Sequence, residues 1–231
     1  MFMMWDPMYW IMAAPALILA LIAQWWVQHS YQKYLKVRNG SNMTGLEATK
    51  HMMRGIGLRL QIEPARGTLS DHYDPRSKTL RLSQEVAQRP SVASVAIAAH
   101  ELGHAQQDAE AYTPMRLRSG LVPVVNLTSW LGPILFIAGL WLNVFPVAWL
   151  GVIAFSAAAV FALVTLPVEI NASQRGLRLL DQSGILTSQE EKKKAKRVLT
   201  AAALTYVAAL AQAISTLLYY VMLLGGGRRR R

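Results

Sequence analysis

The chain has 231 residues, of which 53% are hydrophobic and 16% charged, and it carries a formal net charge of +11. This apolar composition excludes an ordinary soluble domain and a low-complexity disordered chain, so a membrane protein is expected. The chain contains no cysteine, which excludes disulfides and thiolate metal sites and leaves histidine and carboxylate side chains to bind any metal.

Four apolar stretches have the length of a membrane-crossing helix, since about 20 apolar residues are needed to cross roughly 30 Å of hydrocarbon. The first stretch has no Lys or Arg before it and no clear small-residue cleavage site after it, so we interpret it as a retained N-terminal anchor. The predicted spans are residues 7–28, 121–142, 144–168 and 198–224.

A polar segment with short helix and strand signals follows the first span. Thr44 and Glu47 have the spacing of a capping box and predict a short helix that closes on two glycines. A strand is predicted at residues 58–63, and two short runs around a turn at residues 74–78 predict a hairpin. The hairpin fits a plain scaffold, although a sheet edge beside an active site can hold an extended peptide.

The sequence AAHELGHAQQD at residues 98–108 contains the main chemical signal. A Pro-Ser pair at residues 90–91 is a helix start signal, and no proline interrupts the run that follows, which predicts a single helix. On this helix His100 and His104 share a face one turn apart, with Glu101 beside them. The apolar run before the motif is too short to cross a bilayer, so the motif belongs to the polar domain.

This His-Glu-x-x-His pattern predicts a zinc site. A random shuffle of the same composition would contain the pattern roughly 0.004 times, so chance explains it poorly. Two imidazoles one turn apart converge on Zn²⁺ at about 2.0–2.1 Å, and zinc lowers the pKa of a bound water to about 7. Glu101 is predicted to act as the general base that passes the proton of this water to the leaving amine. A peptide bond is the natural target, although the motif alone leaves other amides and esters open.

A third protein ligand is required, and Glu169 is the predicted one. An acidic side chain at the end of a long apolar stretch is costly without a partner. The alternative explanation is an ion pair with Arg175 or Arg178 on the same helix. A weaker candidate, Glu110, stands where metzincins place their last histidine, but Gln107 replaces the glycine that this pattern needs.

Two further helix signals follow in the second half of the chain. Pro167 is predicted to interrupt the third span, with a new helix beginning there. Thr187 and Glu190 predict a capping box that starts a helix running through a basic cluster into the fourth span.

The predicted domains are an N-terminal transmembrane anchor at 1–28, a metallopeptidase domain at 29–120, a transmembrane hairpin at 121–168, a helix with the third zinc ligand and a basic segment at 169–197, and a C-terminal apolar helix with an arginine tail at 198–231.

Lys and Arg are concentrated in the two polar segments and are absent between residues 121 and 168. By the positive-inside rule, both polar segments and the active site face the cytoplasm. A positive-inside signature with some attraction to anionic lipid explains this basicity better than nucleic-acid binding, so no nucleic-acid partner is expected. Four full spans that start from an external N-terminus would place the arginine tail at residues 228–231 on the external side of the membrane, against the positive-inside rule. Either the tail is an exception or one apolar stretch does not cross the membrane.

Four stretches together resemble the YugP-type family of bacterial membrane zinc metallopeptidases: SDHYDPRSKTLRLS, HELGHAQQD, LPVEINASQRGLRLL and AALTYVAAL. The resemblance implies a mainly α membrane protein with about four transmembrane helices and a small α+β gluzincin-like peptidase domain, similar to HtpX-type membrane proteases. It also implies Zn²⁺ held by His100, His104 and Glu169, with Glu101 catalytic.

The chain departs from the gluzincin pattern at one position. Where that pattern usually has an aspartate that orients a ligand histidine, this chain has Ser173. Asn171, Ser173 or Asp108 are the candidates for that role. Tyr206 is a candidate donor to the tetrahedral oxyanion, although it fits a bundle-facing tyrosine equally well.

The predicted function is a membrane-anchored zinc endopeptidase with protein or peptide substrates, and the sequence does not indicate its oligomeric state. An intramembrane site-two-type protease is disfavoured, because its motif would lie in a spanning helix and its nearest second signal here is LLDQSG in a polar segment. A non-catalytic membrane scaffold with a structural metal site is the other alternative. Structural zinc normally has four protein ligands, commonly including cysteine, which favours catalysis.

Overall fold

A computed structural model describes residues 6–227, and the arginine tail at 228–231 lies outside the described residues. Within the described range the chain forms seven helices and three strands in chain order. The elements are α1 (Pro7–Leu35), α2 (Gly45–Gly55), β1 (Gln61–Ala65), β2 (His72–Asp74), β3 (Thr79–Ser83), α3 (Gln84–Gln88), α4 (Val92–Ala109), α5 (Thr113–Trp141), α6 (Phe145–Ser183) and α7 (Gln189–Gly227).

Four of these helices, α1, α5, α6 and α7, are long and apolar enough to cross a membrane, by length and composition. They contain the four predicted spans except for residues 142 and 144, which lie just outside α5 and α6. Helices α6 and α7 each have 39 residues and extend well beyond their apolar stretches into polar sequence. Together with a small sheet, these helices confirm the predicted fold class of a mainly helical membrane protein.

The prediction that Pro167 ends a helix is wrong. Pro167 lies inside α6, which is continuous, and prolines also lie inside α1 and α5. A proline removes one backbone hydrogen bond, but the helix keeps all the others, and in the apolar stretch before Pro167 no water is available to replace them. Glu169 is therefore on the same helix as the third apolar stretch, two residues beyond the proline.

The first capping box is confirmed and the second is displaced. Thr44 accepts a hydrogen bond from the Glu47 N–H, and the Glu47 carboxylate accepts one from the Thr44 N–H. Before α7, the hydroxyl of Ser188 accepts from the N–H of Glu191, whose carboxylate accepts from the N–H of residue 187. The predicted Thr187–Glu190 pair is therefore wrong by one residue, because a second Ser and Glu with the same spacing stand one position later.

The three strands form one small mixed sheet in the order β1-β3-β2. Strands β2 and β3 pair antiparallel as the predicted hairpin, with Tyr73 opposite Leu80, and β1 pairs parallel with β3. Strand β1 begins at Gln61, three residues later than predicted. Strand β2 is thus an edge strand of the sheet.

The chain divides into two compact units. The apolar unit consists of residues 1–23, 116–167 and 205–231, and the polar unit consists of residues 24–115 and 168–204. The core of the polar unit includes Leu80 and Leu82 of β3, Leu102 of α4 and Leu180 of α6, all nearly inaccessible to solvent. This core holds the sheet, α4 and the C-terminal part of α6 together, and these elements carry the residues of the predicted site.

Candidate metal centre

Helix α4 carries the His-Glu-x-x-His motif. It begins after Ser91, whose hydroxyl accepts a hydrogen bond from the N–H of Ser94, and it continues unbroken to Ala109 as the sequence predicted. It is not one of the helices apolar enough to cross a membrane, so the motif lies in the polar unit. The rings of His100 and His104 are adjacent, with centroids 4.8 Å apart.

The carboxylate of Glu169 lies against both imidazoles. Its Oε2 is 3.3 Å from Nε2 of His100 and 3.4 Å from Nε2 of His104. The side chain of Glu169 is only 2% exposed. Among the described residues, these three side chains form a group that could hold a metal ion, with one ligand atom from each and all three atoms within 4.8 Å of one another.

The distances suit a tetrahedral zinc site. Two ligands at about 2.0–2.1 Å from one ion, separated by the tetrahedral angle, lie about 3.3–3.4 Å apart. The two measured nitrogen-to-oxygen distances, 3.3 Å and 3.4 Å, match this spacing. Two imidazoles and one carboxylate are also a donor set that zinc uses in catalytic sites, where three protein ligands leave a fourth position open. The residues present therefore fit zinc.

Two glycines allow α4 and α6 to approach closely enough for this geometry. A Cβ atom on Gly103 would lie 2.3 Å from the backbone oxygen of Ala172, and one on Gly176 would lie 2.8 Å from that of Ala99. Real Cβ contacts are essentially never this short, so any larger residue would push the two helix backbones apart. Gly103 is thus the residue inside the motif that permits contact with the helix carrying Glu169.

Glu101 is buried beside the three side chains that could hold a metal, and its carboxylate accepts a hydrogen bond from the sheet. Oε2 of Glu101 accepts a hydrogen bond of 2.9 Å from the N–H of Tyr73 on edge strand β2. Burial raises the pKa of Glu101 to about 7, and the charges of Glu169 and Asp71 act in the same direction, against the opposing effect of His100. A carboxylate with a pKa near neutrality is suited to accept and release a proton.

Each histidine of the motif faces Glu169 with Nε2 and has another hydrogen-bond partner at Nδ1. Ser173, one of the three residues proposed for this role from the sequence, places its Oγ 3.1 Å from Nδ1 of His100. The partner of His104 is Gln107, whose Oε1 lies 3.0 Å from Nδ1. In the sequence, Gln107 was notable only because it replaces the glycine of the metzincin pattern. Its position three residues after His104, on the same helix face, is the signal that could have identified it.

The other two candidates for orienting a histidine have different partners. Asp108 accepts a hydrogen bond of 2.8 Å from the hydroxyl of Tyr73, which ties edge strand β2 to α4. Asn171 accepts from Gln107 and from Arg175 through its Oδ1. Asn171 therefore acts on His104 through Gln107, without a direct contact.

The alternative ligand, Glu110, lies elsewhere, and one of the two alternative partners of Glu169, Arg175, is bound to other residues. Glu110 is 56% exposed and forms an ion pair of 2.7 Å with Arg175, so it is outside the metal group. Helix α4 runs straight through Gln107, consistent with the missing glycine, and the chain does not turn back to bring Glu110 to the histidines. Arg175 is engaged by Glu110 and Asn171, while Glu169 lies against the imidazoles.

Two further histidines, an acidic residue of the LLDQSG sequence and Tyr206 fall outside the group that could hold a metal. His51 and His72 contact the backbone oxygens of residues 183 and 70. In the LLDQSG sequence, Asp181 is largely exposed and pairs with Lys192, which gives no second metal-site signal of the site-two type. Tyr206 lies on α7 in the apolar unit, and its role at an oxyanion stays a prediction.

Comparison with known proteins adds a family and a relative. The family described as "Putative neutral zinc metallopeptidase" matches residues 9–225. The chain is 42% identical over 176 residues to a protein of Bacillus subtilis (strain 168) described as "Putative membrane protease YugP", and this match covers 76% of the chain and 78% of that protein. No solved structure matches the chain significantly.

Proposed function

We propose that this chain, which belongs to the neutral zinc metallopeptidase family, is a membrane-anchored zinc-dependent endopeptidase. Its membership of this family confirms the resemblance predicted from the sequence motifs. The observation that carries the proposal is the convergence of His100, which is partly buried, with the buried side chains of His104 and Glu169, beside the buried carboxylate of Glu101. Four apolar helices supply the membrane anchor.

His100, His104 and Glu169 would hold the zinc through two Nε2 atoms and one carboxylate oxygen. Zinc, when bound there, would lower the pKa of a coordinated water to about 7 and polarise the carbonyl of the scissile bond. The protein keeps the two histidines oriented through hydrogen bonds at their Nδ1 atoms, to Ser173 and Gln107.

Glu101 is proposed as the general base. Its carboxylate accepts the proton of the attacking water and transfers it to the amine that leaves when the carbon-nitrogen bond of the peptide breaks. The N–H of Tyr73 occupies one oxygen of this carboxylate and restricts its rotation. Burial removes competing solvent and increases the affinity of the carboxylate for a proton, which suits a group that must take one up and return it.

A non-catalytic scaffold with a structural metal remains the alternative function. Structural zinc sites are normally closed by four protein ligands. The group among the described residues contains three, and a buried glutamate that is not one of them lies next to it. Three ligands and an adjacent acid favour catalysis over a structural role.

The active site is proposed to face the cytoplasm. The polar unit contains most of the Lys and Arg residues on which the positive-inside rule depends, including the basic run at residues 192–197. Because the chain has no cysteine, a single Cys introduced at exposed Ser77 reports this side of the membrane. An impermeant maleimide should label it in inverted vesicles and leave it unlabelled in intact cells; the reverse pattern would exclude a cytoplasmic site.

Glu101→Gln tests the mechanism most directly. The variant is expected to retain one zinc per chain, because Glu101 is not a proposed ligand, and to cleave denatured casein about 10²–10⁴-fold more slowly than the wild type. Zinc content and cleavage are measured on the same detergent-purified protein. Glu110→Gln, the same substitution at the exposed acid that follows the same helix, is the matched control and should keep full activity. Cleavage by Glu101→Gln at the wild-type rate would exclude the mechanism.

A further inference from the structure

A chain of hydrogen bonds in the polar unit connects His104 to Arg175. Gln107, which is completely buried, lies in the middle of this chain. Its Oε1 is 3.0 Å from Nδ1 of His104, and its Nε2 donates to the backbone oxygen of Val168 at 2.8 Å and to Oδ1 of Asn171 at 3.0 Å. Arg175 donates from Nε to the same Oδ1 at 2.7 Å.

The direction of every bond in this chain follows from Arg175. A guanidinium has donors and no acceptor, so the atom of Asn171 that faces Arg175 must be its oxygen. The atom of Gln107 that faces this oxygen, and also the carbonyl of Val168, must then be its amide nitrogen. The oxygen of Gln107 is left facing His104, and an amide oxygen only accepts. Nδ1 of His104 must therefore carry a proton.

We propose that Arg175, Asn171 and Gln107 act as positioning residues that hold the proton of His104 on Nδ1, and so keep the lone pair of Nε2 available for the metal. The inference rests on the proposed function in that His104 is taken as a zinc ligand. A neutral imidazole that carried its proton on Nε2 instead would oppose two lone pairs, on Nδ1 and on Gln107 Oε1, across 3.0 Å. Nε2 faces the carboxylate of Glu169 at 3.4 Å, so it is the metal bound between these two atoms that takes the place of a proton on Nε2.

The other ligand histidine is not constrained in this way. Nδ1 of His100 faces the hydroxyl of Ser173 at 3.1 Å. A hydroxyl rotates and both donates and accepts, so it is compatible with either tautomer of the neutral ring. The two histidines of the motif therefore differ: the protein dictates which nitrogen of His104 is protonated, and it leaves this choice open for His100.

Zinc affinity of the purified full-length protein, measured by chelator competition, tests the proposal. Gln107→Leu removes the acceptor and is expected to weaken zinc binding about 10–100-fold, the usual cost of losing an outer partner of a ligand. Ser173→Ala is expected to cost less than Gln107→Leu. Equal losses in the two variants, or no loss in a folded Gln107→Leu protein, would overturn the proposal.

Substitutions at Asn171 test the direction of the bonds without altering the buried Gln107. Asn171→Asp offers only acceptors to Arg175 and Gln107, so it should retain zinc affinity within about threefold of the wild type, because both neighbours donate to it. Asn171→Leu should lose affinity in the same sense as Gln107→Leu. If Asn171→Asp lost as much as Asn171→Leu, the bonds would run the other way and the proposal would be wrong.

A spectroscopic measurement separates this inference from the proposed function. In metal-free protein labelled with ¹⁵N-histidine, the resonances of His104 are expected to show a proton on Nδ1, whether or not Nε2, which faces the carboxylate of Glu169, carries one as well. In Gln107→Leu the proton on Nδ1 loses its acceptor, and its occupancy is expected to fall. The result depends on neither zinc nor hydrolysis, so it can be read even if the protein proves not to be a peptidase. An unprotonated Nδ1 in the wild type would overturn the inference while leaving the proposed function intact.

Discussion

The two units of the chain differ in which side chains they bury and which they expose. In the apolar unit, large apolar side chains are widely exposed; Trp130 is 67% and Trp141 82% exposed. In the polar unit, the notable burial is of polar groups, among them Glu101, His104 and Glu169. Among the described residues, the buried side-chain atoms that have no hydrogen-bond partner all lie in the apolar unit, on Thr128, Thr165 and Gln212.

This difference shows which buried polar residues carry information about function. Exposed tryptophans on a helix that can cross a membrane need no explanation beyond contact with lipid. A buried, fully hydrogen-bonded polar group is different, because the protein must supply every partner that water would have supplied. Gln107 is bonded at both ends of its amide, and its partners lead directly to the metal group.

The largest expected effect is that of removing the carboxylate that faces the two histidines. Glu169→Ala leaves two imidazoles without the third ligand, so zinc affinity should fall by more than the roughly 10–100-fold that the loss of an outer partner costs, and casein cleavage should be lost. Glu110→Ala, which removes an exposed acid from the same unit, should retain zinc. Zinc retained in Glu169→Ala and lost in Glu110→Ala would mean that the third ligand had been misassigned.

A smaller effect is expected from separating α4 and α6. Gly103→Ala places a methyl group 2.3 Å from the backbone of Ala172, and backbone cannot yield as a side-chain tip can. Overpacking of this kind costs about 1–3 kcal/mol of unfolding free energy and should weaken zinc binding as the helices move apart. Gly55→Ala in α2, where a Cβ meets nothing within 4 Å, is the control and should leave both properties unchanged. Wild-type stability and zinc affinity in Gly103→Ala would show that the close approach is not required.

The smallest effects are expected from two Thr→Val substitutions, one in each unit. Thr49, in the polar unit, donates its hydroxyl to the carbonyl of Gly45 at 2.7 Å, whereas the buried hydroxyl of Thr165 in the apolar unit has no partner. Thr49→Val should cost about 0.5–1.5 kcal/mol, and Thr165→Val should be neutral or stabilising, because no bond is lost. Unfolding of both variants in the same detergent checks this. A larger loss for Thr165→Val would show that its hydroxyl is bonded in the folded protein.

Features that depend on neighbours in sequence could be predicted from the sequence. The capping box at Thr44 and Glu47, the helix that carries the motif and the hairpin around residues 74–78 all form as predicted. The second capping box was placed one residue too early, since two equivalent pairs of residues compete at that helix start. The continuity of α6 through Pro167 was missed, because a local rule for proline omits the surroundings of a long apolar helix.

His100 and His104 share a helix face beside Glu101, because a turn of 3.6 residues sets that relation wherever the helix lies. This part of the site could therefore be predicted from the sequence alone. The sequence also indicated Glu169, through the cost of placing an acid beside an apolar stretch. Tertiary structure alone decided how close α4 and α6 come, through the missing side chains of Gly103 and Gly176. It also decided which nitrogen of His104 is protonated, because the direction of a hydrogen bond depends on partners from a helix distant in sequence.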